Sequence, residues 1–420
     1  MKAAVLREFK RPLTIEEIDP PRPEAQEVLI EVEACGVCHS DLHVADGDWP
    51  QLARIVKKPL ILGHEIVGRV VEKGAAVRSL KVGDRVGVPW LHWSCGECEF
   101  CREGNENLCA RQRITGVTID GGYAEFAKAP ASHAIAIPEK LSASEAAPIF
   151  CAGVTVYRAL KHSGISRGQR LAVFGIGGLG HIGIQIGTAF GAEVAAIDVS
   201  EEKLALAKSL GAVQTFNASS TDVAKRFREI GGAHVALVTS AAKAAYQSAF
   251  YCVRPSGVLL VVGLPSEDIC FPPILMAARE IRMHSSAVGT RQDLLETLKL
   301  AAEGKVRCQV STRPLAEANE SLGTTASRES LRPNRPDSPL ISHKIRQDGC
   351  KVSAGERSLP KRVCFRLDVS LSNVICAITI SQVTRDPWGA GWGQRKPLNR
   401  SSSEREFEDS LSLLSDCLTA

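Results

Sequence analysis

The chain has 420 residues, 44% of them apolar, and a formal charge of +4. That length suits roughly two or three globular domains, the apolar share is that of a soluble globular protein, and so small a charge excludes any argument for nucleic acid or a membrane surface as partner. The N-terminal MKAAVLREFKRPL has neither a long apolar stretch nor a small-residue cleavage site, and no apolar run approaches the roughly 20 residues that span a bilayer, so a cytoplasmic protein is expected.

Up to about Pro148 the chain shows short β-like runs, among them Val28–Val32, Ile66–Val71 and Arg85–Val88. Turn signals separate them at Lys73-Gly74, Gly83-Asp84 and Gly121-Gly122. Short strands with Gly and Pro punctuation predict a mainly-β, barrel-like domain. From Cys151 apolar strands alternate with helical stretches. The predicted strands are Leu171–Phe174, Val194–Ile197, Val235–Thr239 and Val258–Val262, and the helices include Leu179–Phe190 and Ser200–Leu210. That alternation predicts βαβ units and a parallel sheet covered on both faces.

Fourteen cysteines in a large chain without an export signal point to reduced thiols and metal ligands, not disulfides. Their spacing carries the chemistry. Cys95, Cys98, Cys101 and Cys109 form C-x2-C-x2-C-x7-C on one short loop. Four thiolates so close can surround zinc tetrahedrally, and a closed set of four protein ligands marks a structural site. A ferredoxin-like iron–sulfur run begins the same way, but its next cysteine follows after three residues and precedes proline; here the gap is seven and Ala110 follows. Elsewhere the signals are weaker. Cys35-Gly-Val-Cys38-His39-Ser40-Asp41-Leu42-His43 comes first, then Gly63-His64-Glu65, then Cys151. Singly, His64 reads as a structural histidine, Cys151 as a small core hydrophobe, and Ser40, Asp41 and His43 as turn chemistry and a solvated ring.

The run Gly175-Ile-Gly177-Gly178-Leu179-Gly180 is a G-x-G-x-x-G motif that follows a predicted strand and opens a predicted helix, the context that makes it a dinucleotide signal. Gly175 permits the tight turn, Gly177 lets backbone approach a pyrophosphate, Gly180 lets the helix pack close, and the helix start at Gly178 and Leu179 offers N–H groups to phosphate. Asp198 ends the next strand at the expected distance. A carboxylate there accepts from ribose hydroxyls and repels a 2′-phosphate, which favours NAD over NADP.

GHEIVG, CGVCHSDLH, the four-cysteine loop and the glycine motif occur in the order seen in zinc-dependent medium-chain alcohol dehydrogenases, and from about Met1 to Glu320 the chain resembles the fungal and bacterial ethanol-dehydrogenase type. The resemblance implies an α/β fold: a β-rich GroES-like barrel catalytic domain (1–150), a Rossmann doubly wound parallel-sheet domain (151–287) and a return segment to the catalytic domain (288–320). It implies two zinc ions and one NAD. Cys38, His64 and Cys151 would hold the catalytic zinc, a Cys2His set for which alcohol dehydrogenase is the usual example; Cys35 would not be a ligand. Asp41 would accept the second ring N–H of His64, and Glu65 would lie behind the metal. Ser40 and His43 match the family's proton relay. His39 matches a position that contacts cofactor phosphate, Lys203 one near the ribose, and Val262 a cofactor-binding position. Trp49 and Trp90 match rings that narrow the substrate pocket. The implied activity is oxidation of short-chain primary alcohols to aldehydes, and the reverse, by hydride transfer from an alcohol held on the catalytic zinc. A dimer or tetramer of identical chains is implied. Rival readings are a polyol or aryl-alcohol dehydrogenase of this fold, and a zinc- and NAD-binding chain impaired in turnover by its altered C-terminus.

That last reading arises because the likeness stops at Ser321. SLGTTASRESLRPNRPDSPL is rich in Ser, Arg and Pro and lacks either hydrophobic period, so residues 321–420 are expected to be atypical and disordered. A shifted reading frame, read-through or a misassigned exon near Ser321 would produce such a change. Within this tail only Val363 to Val383 is apolar enough for a strand pair.

Overall fold

The computed structural model describes residues 1–265, 268–326 and 363–367. Three sheets build the N-terminal part, the smallest a two-stranded pairing of Leu91–Trp93 with Arg113–Ile114. Strands Lys2–Leu6, Thr14–Glu17 and Leu60–Ile61 form a small antiparallel sheet. The larger one runs in the order Ile135–Ala136, Arg85–Val88, Glu65–Lys73, Glu27–Val37, Val363–Leu367, Val310–Pro314. Glu27–Val37 is its axis. It pairs with Glu65–Lys73 along one edge; its other edge is shared by Phe126–Pro130, opposite residues 27–31, and by Val363–Leu367, opposite residues 34–37. Val28, Ile30 and Val32 are buried, the β-branched pattern expected of a strand packed on a core. Register shifts between Leu29 and Ile30 and between Val32 and Ala34 let the strand bend as a closing barrel requires.

Of residues 321–420 the structure describes the end of helix Ala318–Ala326, which runs past Ser321, and the strand Val363–Leu367. Backbone hydrogen bonding accounts for the strand. Without a strand between them, residues 34–37 and Val310–Pro314 would present unpaired backbone groups toward one another. An extended segment satisfies those groups whatever its side chains. The strand lies within the Val363–Val383 stretch; the rest of that stretch, like 327–362, lies outside the described residues.

A separate six-stranded sheet has the order Gln214–Asn217, Glu193–Asp198, Arg170–Phe174, Ala233–Val238, Val253–Val261, Arg282–Ser285, every pair parallel. The order reverses between Arg170–Phe174 and Ala233–Val238, and at such a switch point a crevice opens beyond the carboxyl ends of the strands. Leu171–Phe174 is buried throughout, as a central parallel strand must be. Helix Gly178–Ala189 lies close on the sheet because Gly183 and Gly187 share one face with Gly180. A Cβ at Gly183 would lie 2.8 Å from Leu237, and one at Gly187 would lie 2.4 Å from Leu171. The predicted strands Val235–Thr239 and Val258–Val262 occur as Ala233–Val238 and Val253–Val261. Val310–Pro314 is the end strand of the larger N-terminal sheet, paired with Val363–Leu367. No helix among the described residues is long and apolar enough to cross a membrane.

Candidate metal and dinucleotide sites

Backbone register brings the first two metal candidates together. Strands Glu27–Val37 and Glu65–Lys73 are antiparallel with Gly36 opposite Glu65. Cys38, one residue beyond the first strand, and His64, one before the second, therefore sit side by side. Cys151 arrives from the other direction, between the 3-10 turn Ala147–Phe150 and helix Ala152–Ser163. Its sulfur lies 3.9 Å from that of Cys38. Cys38, His64, Glu65 and Cys151 each offer an atom within 4.8 Å of the others. The helix that begins at Cys151 also packs on the helix that begins at Gly178, Val156 approaching Gly183.

Asp41 organises this pocket. Its Oδ1 accepts from His64 Nδ1 at 2.9 Å and from the Gly63 N–H at 3.2 Å; its Oδ2 accepts from the Cys38 N–H and from the Tyr123 hydroxyl, both at 3.0 Å. Since a carboxylate can only accept, His64 carries its proton on Nδ1, and Nε2 presents a lone pair. That Nε2 and both Glu65 oxygens are buried and receive no hydrogen bond. Gly36 makes the room for Glu65, because a Cβ there would fall 1.7 Å from Glu65 Oε2. Trp90, also buried, stands edge-on to His64 with centroids 4.9 Å apart.

The charges are unbalanced as the protein alone sets them. The Cys38 thiol is held well below its usual range, first by its hydrogen bond with Cys151, while Cys151 is pushed well up by Cys38 and by burial. Burial also pushes the Glu65 carboxyl up, with the Cys38 sulfur adding to it. Orphaned buried lone pairs beside two sulfurs need an electron-pair acceptor. A divalent cation that favours sulfur and imidazole, such as zinc, fits this donor set.

The second cluster forms as its spacing predicts. Cys95, Cys98, Cys101 and Cys109 have their sulfurs within 4.8 Å of one another, Cys109 buried and the others half-buried. The backbone N–H groups of Glu97 and of Cys98, the latter donating to Cys95 Sγ at 3.4 Å, hold the Cys95 thiol at about 6, a range in which it loses its proton to a metal readily.

At the glycine loop, Gly175 has φ +89°, a left-handed conformation that a side chain disfavours. Helix Gly178–Ala189 starts directly after Gly177. A Cβ at Gly180 would strike Gly175 O at 1.9 Å, so the helix can approach the turn only as glycine. Asp198 closes the turn: Oδ2 accepts from Ile176 N at 2.7 Å, and Oδ1 from Val199 N at 2.8 Å and Ser200 N at 3.0 Å. Lys203 reaches 3.9 Å from Asp198. Val262 is buried just after strand Val253–Val261.

Helix His39–Asp46 carries His39, Ser40 and His43 away from Cys38. Ser40 is buried, and the rings of His39, His43 and Trp49 form a run, with centroids 4.7 Å apart for the first pair and 4.6 Å for the second. Sequence reasoning missed Tyr123, Asp48 and Thr239, the last donating to Gly175 O at 2.6 Å. Tyr123 follows Gly121-Gly122, which signalled only a turn; nothing in its spacing links it to Asp41.

Fold and sites together define a metal-containing, dinucleotide-dependent dehydrogenase. Residues 24–139 match the alcohol dehydrogenase GroES-like domain family, and residues 178–303 match the zinc-binding dehydrogenase family. An alcohol dehydrogenase of Geobacillus stearothermophilus is 48% identical over 321 residues, covering 76% of this chain and 94% of the relative. One from Rhizobium meliloti is 46% identical over 320 residues, covering 76% and 93%. Among solved structures, the alcohol dehydrogenase of Aeropyrum pernix matches with TM-score 0.73 at 36% identity, over 78% of this chain and 97% of that one. Acetophenone reductase of Geotrichum candidum, solved in complex with NAD, matches with TM-score 0.71 at 27% identity over 87% and 97%. The chain belongs to the zinc-type medium-chain alcohol dehydrogenase family.

Proposed function

We propose that this NAD-dependent alcohol dehydrogenase oxidises short-chain primary alcohols to aldehydes and reduces them in reverse. The observation that carries the reading is the convergence of Cys38, His64 and Cys151, with Glu65 behind them, within 4.8 Å. Cys38, His64 and Cys151 hold the catalytic zinc, and Cys95, Cys98, Cys101 and Cys109 the structural one. Zinc in the first set supplies Lewis acidity toward a substrate oxygen.

The remaining chemistry belongs to side chains. Asp41 orients His64 and keeps Nε2 turned to the metal position. The buried Glu65 carboxylate, within 4.8 Å of the three ligand atoms, would balance the charge of a zinc ion held by Cys38, His64 and Cys151. Ser40 takes up the alcohol hydroxyl proton as it gives up its own, and His43, further along the helix toward solvent, passes the released proton outward. Gly175, Gly177, Gly178, Leu179, Gly180 and Val262 cradle NAD, Asp198 and Lys203 grip its ribose, and His39 meets its phosphate. Holding substrate and nicotinamide side by side removes much of the entropic barrier to hydride transfer. Trp49 and Trp90 narrow the space left for substrate. We assign catalysis to 1–150, NAD binding to 151–287 and the link back to 288–320, in a homo-oligomer of the cytoplasm, dimeric or tetrameric.

The test is NADH absorbance with ethanol, butanol, sorbitol and an aryl alcohol, with and without chelator, beside zinc analysis of the purified full chain. Ethanol should turn over fastest, two zinc ions should be present per chain, and Cys38→Ser should leave about one. Faster turnover of sorbitol or the aryl alcohol would move the substrate assignment. Turnover of none, with zinc and NAD bound, would make this a binding protein.

A further inference from the structure

We infer that Asp48 is a positioning residue for the proton relay: it holds the His43 ring through Nδ1 and balances the positive charge that ring acquires. The inference rests on the relay reading above. It starts from the end of helix His39–Asp46. Gly47 caps that helix in a left-handed conformation, φ +67°, and so turns the chain back on itself. The turn puts Asp48 over the residue five positions earlier. Asp48 N donates to His43 O at 3.1 Å, and His43 Nδ1 lies 3.0 Å from Asp48 Oδ2. One residue thus grips His43 by backbone and side chain together. Since a carboxylate only accepts, Nδ1 is the protonated nitrogen, which selects the tautomer.

Two further rings pin the plane. Trp49 lies against His43 at 4.6 Å with 31° between planes, and His39 meets it edge-on at 4.7 Å and 66°. The ring can hardly flip without breaking the Asp48 bond and losing the Trp49 contact. The His43 side chain is 17% exposed and that of Asp48 45%, so the pair stands at the boundary between protein and water. A relay group needs that position: it takes a proton on one nitrogen from the buried side and gives one up to solvent. A base fixed by a third group is also the arrangement by which imidazoles are held ready for proton transfer. The turn itself is secured by Gly47 and by backbone bonds, so it does not need the Asp48 carboxylate.

The test combines kinetics with nitrogen spectroscopy on the zinc-loaded full chain. Asp48→Ala should slow the single-turnover rate of ethanol oxidation about tenfold, the worth of one charge-assisted hydrogen bond. Zinc content should not change, and the NAD Kd should stay within about twofold. Asp48→Glu should restore most of the rate. Asp46→Asn removes a nearby carboxylate of the same charge and should not reproduce the loss. In a His43→Ala background, Asp48→Ala should have no further effect. With 15N-labelled histidine, Asp48→Ala should shift the His43 ring signals away from the Nδ1-protonated tautomer. An equal loss with and without His43, or with Asp46→Asn, would overturn the inference. If His43→Ala leaves the rate intact, the relay reading falls and the kinetic role of Asp48 with it. Unmoved His43 nitrogen signals would refute the pairing itself, whatever the relay does.

Discussion

Replacing Asp198 by Ala separates two roles that one carboxylate plays, and both magnitudes follow from its contacts. The first role is structural. Ile176 is fully buried, and its N–H donates to Asp198 Oδ2 at 2.7 Å. Alanine would strand that N–H, at a cost of about 1–3 kcal/mol. The N–H groups of Val199 and Ser200 also lose their acceptor, but Val199 is 67% exposed and water can replace it there. A net loss near 2 kcal/mol corresponds to a Tm lower by roughly 2–3 °C for a cooperative protein of this size. The second role is in binding. If the carboxylate accepts from the adenosine ribose hydroxyls, losing one or two charge-assisted bonds of about 1.4 kcal/mol each raises the NAD Kd about ten- to a hundredfold. The NADP Kd should change little or improve, because the repulsion of its 2′-phosphate is gone. Titration calorimetry with both dinucleotides and thermal denaturation of the same samples give the two readouts independently. A fall in Tm with no change in NAD affinity would refute the ribose assignment and leave Asp198 a turn-closing residue only.

Tyr123→Phe removes one of four donors to Asp41 while keeping the ring; zinc affinity at the Cys38 site should weaken roughly tenfold, read by competition with a chromogenic chelator, with the four-cysteine site as internal control. Trp90→Ala opens the space beside His64, so the rate ratio of butanol or hexanol to ethanol should rise about tenfold or more, and an unchanged chain-length preference would end the pocket assignment. Burial lowers His92, His133 and His181 to about 4, 3 and 4 from an ordinary 6.5. The unfolded chain therefore takes up these protons first on acidification. The stability they contribute is fully present above pH 6.5 and lost as the pH falls toward 4, and Tm should decline across that window; a Tm flat from pH 7 to 4.5 would contradict the assignment of these histidines as neutral.

Some of this site can be read from one dimension and some cannot, and chain separation explains the difference. The four cysteines from Cys95 to Cys109 share one short loop, so their local spacing already dictates that their sulfurs meet. The glycine motif is similar: turn, helix start and close packing follow from consecutive residues, and the strand order around it follows from right-handed βαβ crossovers. Cys38, His64 and Cys151 are distant in the chain, and composition and period leave each of them an ordinary buried residue. Resemblance joined them before the structure did.

What brought them together is tertiary. The antiparallel register that sets Gly36 opposite Glu65 aligns Cys38 with His64, and a helix starting at Cys151 closes the set. The same holds for Tyr123 under Asp41 and for Asp48 beside His43, pairings made by a loop crossing and by one left-handed glycine. It holds most plainly for Val363–Leu367, whose place between Glu27–Val37 and Val310–Pro314 no motif announced. Hydrophobic period and ligand spacing are properties of neighbours along the chain, and so the sequence determined element types, the four-thiolate loop and the dinucleotide turn. Unpaired backbone groups and buried lone pairs have no counterpart in a linear string; only the packed structure decides which distant segment satisfies them.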